Sequence, residues 1–242
     1  IELKNTQTEL AKKEKLAALG HLAANVAHEV KNPLGIMKVA ASTLENSLDE
    51  KPKLKDLASF INKEIDRLNT FVSELLDFTK NKELKPSEVI IHDLLAEVVE
   101  KTSLYAVSEN KNIEISQNNP EGGSLLKIKI DYDQVLRALI NITFNAVDSI
   151  GAQCMKPVVS IKTSADQTSG MLVIIIEDNG SGINESQLKN VTQPFFTTKK
   201  KGTGLGLAVA SQIIEKHGGK LEINSTENIG TKVAVYLPLK GV

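Results

Sequence analysis

The stretch MLVIIIEDNGSGI, Met171 to Ile183, decides how the second half of the chain is read. Six apolar residues, most of them β-branched, have the length and composition of a buried strand. The strand runs straight into Asp178, and the glycines Gly180 and Gly182 let the backbone turn sharply beside whatever that carboxylate binds. Working outward, similar short β-branched runs predict strands near Glu88–Ile91, Ile113–Ser116, Leu126–Ile130, Val158–Thr163, Lys220–Asn224 and Thr231–Leu237. Helical spacing predicts helices near Asp93–Glu109, Tyr132–Ile150 and Gly204–His217. Strands and helices mixed in this way, with the last two strands antiparallel neighbours, indicate an α/β sandwich with helices on one face.

The first half reads differently. Leu16, Leu19, Ala23, Val26, Val30, Leu34, Met37, Ala41, Leu44 and Leu48 recur three and four apart, drawing one apolar stripe on a helix. Leu54, Leu57, Ile61, Ile65, Leu68, Val72 and Leu75 draw a second. Pro52 in the polar connection between them favours a break, so the pair folds back as an antiparallel helical hairpin. Stripes this long are not hidden by two helices alone, whereas a second copy completes a four-helix bundle. The expected organisation is therefore α+β: a charged lead-in over 1–15, in which Leu3 and Leu10 are one heptad apart; a hairpin over 16–80; a polar linker over 81–87; and the sandwich over 88–242.

Composition narrows the classes. Among 242 residues, 29 basic and 30 acidic side chains nearly cancel, which argues against a disordered tail or a dedicated nucleic-acid binder. The single cysteine, Cys154, excludes a disulfide framework and Cys-clustered metal sites, and suggests a reducing, cytoplasmic setting. The longest strongly apolar run, Met171–Ile176, is far short of the roughly 20 residues a membrane-spanning helix needs. The chain begins at Ile1 without a start Met, so it is read as a fragment whose full-length parent could be membrane-anchored upstream. All but two of the basic residues are Lys, which points to lysine point charges at any phosphate.

Several clusters could carry chemistry. HEVKNP, His28 to Pro33, lies in the first stripe with His28 midway between Val26 and Val30, hence facing water. An outward histidine is ordinarily a solvated residue, and His21, one heptad earlier, serves as the comparison. What sets His28 apart is Glu29 beside it, Asn32 one turn on, and Pro33 placed to kink the helix. An imidazole is a competent nucleophile near neutral pH, and Glu29 could accept the proton it releases. Further on, Asn141 and Asn145 share a helix face, where buried amides call for a ligand or metal. GTGLGL, Gly202 to Leu207, opens the last predicted helix and offers backbone amides to an anion; Thr197, Thr198 and the run Lys199–Lys201 stand just before it.

Taken together, these residues resemble the catalytic core of a sensor histidine kinase. His28–Pro33 resembles the H box, Asn141–Asn145 the N box, Asp178–Gly182 the G1 box, Phe195–Lys199 the F box and Gly202–Gly206 the G2 box. The resemblance covers the chain from about residue 16 to its end. It implies a homodimeric phosphotransfer hairpin followed by the ATP-binding fold shared with gyrase, heat-shock chaperone and mismatch-repair ATPases, with ATP and Mg²⁺ as cofactors. By the same resemblance, Asn145 ligates Mg²⁺, Asn141 supports the phosphates, and Asp178 accepts a hydrogen bond from the adenine amino group. Gly180, Gly182, Gly202, Thr203, Gly204, Leu205 and Gly206, with Thr197, Thr198 and Lys199, border the nucleotide, and residues 184–201 form a mobile lid. His28 and Glu29 carry phosphoryl transfer to an Asp of a response regulator, and Asn32 matches the position that orients water in dephosphorylating it. A sensor domain is expected upstream.

One departure stands out. Many members carry a Lys three residues after the second N-box Asn, where this chain has Asp148, so phosphate neutralisation shifts toward Mg²⁺ and the Lys199–Lys201 run. Two other readings compete: a related ATPase that signals by nucleotide-driven conformational change, and an inactive dimeric scaffold. The exposed HEVKNP segment speaks against the first, and Asn145, Asp178 and the intact glycine clusters against the second.

Overall fold

A computed structural model of the chain describes residues 30–47, 52–79, 83–118, 126–151, 153–166, 168–199 and 202–240. The lead-in over 1–15, together with His21, His28, Glu29, Lys200 and Lys201, lies outside the described residues. The chain divides into two units, one up to Lys82 and one from Glu83.

The first unit contains helix α1 (residues 30–47) and helix α2 (Pro52–Thr79). Pro52 occupies the opening position of α2, where its missing N–H costs nothing. The helices run antiparallel: Val30 packs near Val72 and Leu76, Leu34 and Ala41 cluster with Ile65, and Asn62 donates to Glu45 (2.7 Å) while accepting from Ser42 (3.3 Å). Lys38 pairs with Asp66 across the same seam. Both predicted stripes divide. Leu34, Ala41, Ile65 and Val72 are buried, whereas Met37 and Leu44 of the first stripe and Leu57 and Ile61 of the second remain exposed.

The second unit holds β1 (Ser87–Ile90), α3 (Ile91–Ser108), β2 (Glu114–Asn118), β3 (Lys127–Ile130), α4 (Tyr132–Ser149), β4 (Val158–Asp166), β5 (Met171–Asp178), α5 (Glu185–Leu188), α6 (Gly206–Lys216), β6 (Lys220–Thr226) and β7 (Gly230–Pro238). β1 and β3 form an antiparallel pair; the main sheet has the order β2-β4-β5-β7-β6. β2 joins β4 in parallel, and the remaining ladders are antiparallel, including β6 with β7 as expected. Along β5 the burial alternates: Leu172, Ile174 and Ile176 are inaccessible, and Val173 and Ile175 half-buried. The buried row faces the helices, whose Leu94, Leu95, Val135, Leu139, Ile142 and Ile214 are equally inaccessible. The opposite face is polar, with Glu177 bridging Lys162 (2.7 Å) and Lys232 (3.3 Å).

One sequence expectation is refined. The last helix begins at Gly206 and not Gly204, because Gly204 has φ +69° and sits in the left-handed region. His217 lies inside the unit. It is fully buried at the end of α6, where Nε2 accepts from the Asp131 N–H (3.1 Å) and Nδ1 donates to the Ile213 carbonyl (2.8 Å). That pattern fixes the neutral tautomer protonated on Nδ1. The carboxylate of Asp131 in turn caps α4 through the Gln134 N–H (3.1 Å) and takes the Lys85 N–H (2.9 Å). The start of α4, the end of α6 and the entry into the unit therefore meet at one buried polar node.

Candidate nucleotide site

Asn141, Asn145 and Ser149 recur four apart along α4, so their side chains line one face of it. Asn141 Nδ2 donates to the carbonyl of Gly206, the first residue of α6, at 3.2 Å. A Cβ at Gly206 would stand 3.7 Å from Asn145 Nδ2 and 3.9 Å from Asn141. Segments more than 60 residues apart in sequence are thus brought face to face: both amides look onto the first turn of α6, whose free N–H groups suit an anion.

At the far end of the same α4 face, Asp178 closes β5. Its Oδ1 accepts from the Ser149 hydroxyl (2.8 Å) and the Gly180 N–H (2.9 Å). Burial pushes the carboxyl above the usual carboxylate range, and these donors, with the Thr231 backbone and the Lys199 charge, act against it. The turn runs so close to α4 that a Cβ at Gly180 would lie 2.0 Å from Ser149 Oγ and 2.7 Å from its carbonyl oxygen, which explains a glycine there. The following Ser181 N–H donates to the Ser149 carbonyl (3.0 Å). Gly182 sits at the foot of β6, next to Ser181, whose carbonyl accepts from the Asn228 N–H (2.7 Å).

The described residues of the F-box and G2 segments are hydrogen-bonded to one another. Phe195 adopts φ +67°, and its N–H donates to the Gly204 carbonyl (2.9 Å). A Cβ at Gly204 would meet the Phe195 carbonyl carbon at 2.5 Å. Thr197 Oγ1 accepts the Lys199 N–H (3.1 Å), and the Gly202 N–H donates to the Lys199 carbonyl (3.2 Å). Thr197 and Thr198 are exposed, and Thr203 Oγ1 accepts from the Leu205 N–H at 3.3 Å. Leu205 is completely buried, so only its backbone is able to face a ligand.

Lys199 reaches out of this loop to α4. Its Nζ donates to Asn145 Oδ1 (2.8 Å) and Asp148 Oδ2 (2.9 Å). Two hard oxygen donors converging on one positive charge fit Mg²⁺, which is characteristically held by one or two protein oxygens plus substrate phosphate. Among the described residues, no group of three or more His, Cys, Asp or Glu could hold a metal by itself.

Asn141, Asn145, Asp178 and the glycine segments of the predicted site are therefore one constellation. Asn32 belongs to the other unit, exposed on α1. Sequence reasoning missed Ser149, although its spacing continues Asn141 and Asn145 by one more turn. It also missed Tyr105, whose hydroxyl donates to Asp148 Oδ1 (2.9 Å) and whose ring stacks on Phe144 (3.9 Å between centroids). Nothing local in the sequence marks Tyr105; only the packing of α3 on α4 does.

Amides and glycines gathered at the helix side of a mixed, mainly antiparallel sheet are the layout of a nucleotide-binding unit. Residues 130–241 match the family described as histidine kinase-, DNA gyrase B- and HSP90-like ATPase, and residues 18–84 match the His Kinase A (phospho-acceptor) domain. With the two domains in that order, the chain belongs to the histidine kinase family and comprises its catalytic core. It is similar to sensor histidine kinase ZraS of Escherichia coli (strain K12), with 38% identity over 234 residues, 96% of this chain and 48% of that protein. Sporulation kinase C of Bacillus subtilis is 33% identical over 94% of this chain and 50% of its own length. The crystal structure of histidine kinase ThkA in complex with response regulator protein TrrA is 27% identical. It covers 99% of this chain and 67% of that one with a TM-score of 0.68. Full-length ShkA in complex with AMPPNP shares the fold, at 23% identity, 92% and 46% coverage and a TM-score of 0.72. The chain spans about half the length of the curated relatives it matches.

Proposed function

We propose that this chain is the core of an ATP-dependent protein-histidine kinase that phosphorylates His28 and passes the phosphoryl group to an Asp of a response regulator. The observation that carries the reading is the single α4 face, on which Asn141 and Asn145 look onto the first turn of α6 while Ser149 holds Asp178 at the opposite end. That layout suits a nucleotide lying along the helix, base toward Asp178 and phosphates toward α6. Asp178, an acceptor held by two donors, takes the adenine amino group. Asn141 and the amides at the start of α6 hold phosphate oxygens, and Asn145 with Asp148 would hold Mg²⁺, which supplies charge neutralisation on the phosphates. Thr197, Thr198, Lys199 and the loop from Gly202 to Leu205 close over the phosphates.

An unprotonated ring nitrogen of His28 attacks the γ-phosphorus in line, the bond to the β-phosphate oxygen breaks, and ADP leaves with the electron pair. The proton on the other ring nitrogen passes to Glu29. In the second transfer a receiver Asp carboxylate attacks phosphorus and the P–N bond breaks. Asn32, exposed on α1, would orient water for the opposing phosphatase activity, hydrolysis of the regulator's phospho-Asp.

On this reading residues 16–80 form the dimerisation and phosphotransfer domain, 81–87 the linker and 88–242 the catalytic domain, with 1–15 continuing from a sensor region. The homodimer is supported by the exposed apolar residues of the hairpin, Ile36, Phe60 and Leu57 among them. The regulator is supported by the ThkA relative, whose structure is a complex with one. The fragment operates in the cytoplasm, where ATP and receiver domains are; no helix among the described residues is long and apolar enough to cross a membrane. The test is phosphotransfer: the chain is charged with γ-labelled ATP and Mg²⁺, then mixed with purified receiver domains. Rapid movement of label to one receiver's Asp is expected, and retention of label against every receiver of the same genome would contradict the regulator assignment.

A further inference from the structure

The contact between Lys199 and α4 goes beyond nucleotide binding itself. The ammonium sits on a position defined by Asn145 Oδ1 and Asp148 Oδ2, both within hydrogen-bond reach of one point. Asp148 is held in place from behind. Its other oxygen accepts from Tyr105, whose ring lies flat on Phe144 with 10° between the planes. The Lys111 ammonium caps the same turn, donating to the carbonyls of Val147 and Asp148 (2.7 and 3.2 Å). The acceptor corner is thus rigid, while its cation is a flexible side chain on an exposed loop.

Resting on the nucleotide reading, we propose that Lys199 is a displaceable placeholder. In the nucleotide-free protein its ammonium fills the divalent-cation position between Asn145 and Asp148, and loading a magnesium nucleotide evicts it, transferring the lysine to phosphate. Asp148, positioned by Tyr105, sets both sides of the exchange. Its charge holds the lysine in the free state and adds an anionic oxygen beside Asn145 in the loaded one. A single cation position does not take an ammonium and a divalent ion together, so the two compete. The Lys199 N–H donates to Thr197 Oγ1 and its carbonyl accepts from the Gly202 N–H, which ties these neighbours to occupancy of the site.

The test uses the whole 242-residue chain with Asp148→Asn, Lys199→Met and the double variant. Hydrogen exchange across residues 193–205 is read without nucleotide, and ADP affinity is read in Mg²⁺ and in EDTA. Loss of a charge-assisted contact is expected to speed exchange in either single variant by roughly threefold to tenfold, with no further gain in the double. Lys199→Met is expected to raise the ratio of ADP affinity with Mg²⁺ to that without by about threefold or more, and Asp148→Asn to lower it by a similar factor. Unchanged exchange in both variants, or a Mg²⁺ dependence indifferent to Asp148, would overturn the proposal. Failure of the unaltered chain to bind ADP would instead overturn the nucleotide reading and the eviction step. Faster exchange in the variants would still support the hold of Asn145 and Asp148 on Lys199.

Discussion

The two units solve the same burial problem with opposite results. In the ATPase unit α4 presents Val135, Ala138, Leu139 and Ile142 to a sheet in the same chain, and all four are inaccessible. In the hairpin α1 and α2 are just as amphipathic, yet Ile36 is 73% exposed, Phe60 64% and Leu57 59%. A monomeric soluble domain rarely leaves so many large apolar side chains in water. The ATPase unit therefore carries its core within one chain, whereas the hairpin buries one seam and leaves the rest exposed, the surface that a second copy would cover in the proposed homodimer. On that reading the nucleotide site stands on a self-sufficient scaffold and the phospho-acceptor helix lies where two chains meet.

Two substitutions separate the units, the larger effect first. Asp178→Asn replaces the acceptor-only carboxylate proposed for the adenine amino group with an amide that carries one acceptor and a competing donor, and a weakening of ADP binding by about a hundredfold is expected, with dimerisation untouched. Because burial raises the Asp178 pKa in the folded state, the ionised carboxylate costs stability that is relieved as pH falls through the folded value. Asp178→Asn is therefore expected to melt no earlier than the unaltered chain at neutral pH. ADP affinity should also fall on acidification at a higher pH than an ordinary Asp would give. Unchanged affinity in the variant would refute the adenine assignment. Phe60→Glu is expected to weaken the dimer by at least about tenfold in sedimentation while leaving ADP affinity of the ATPase unit intact. A monomer of the unaltered chain at micromolar concentration would contradict the bundle.

The sequence carried the architecture well because its signals are local. The period of the hairpin stripes, the β-branched runs and Asp178 at the end of its strand all follow from neighbouring residues. It also brought Asn141 and Asn145 to one face, since helical spacing guarantees that. Long-range packing is where it fell short. Tyr105 reaches Asp148 from another helix, His217 turns inward to Asp131, and Lys199 folds back over more than 50 residues to α4. Each depends on how helices stack on the sheet, which no local pattern encodes. The same limit applied to the hairpin stripe: spacing placed Met37 and Ala41 on one face, and only the pairing of α1 with α2 decides that Ala41 is covered and Met37 is not.

Phosphorylation of His28 is read by incubating the chain with γ-labelled ATP and Mg²⁺ and characterising the product. An acid-labile, alkali-stable phosphate is expected, which disappears in His28→Gln and persists in His21→Gln. Undiminished labelling of His28→Gln would contradict it.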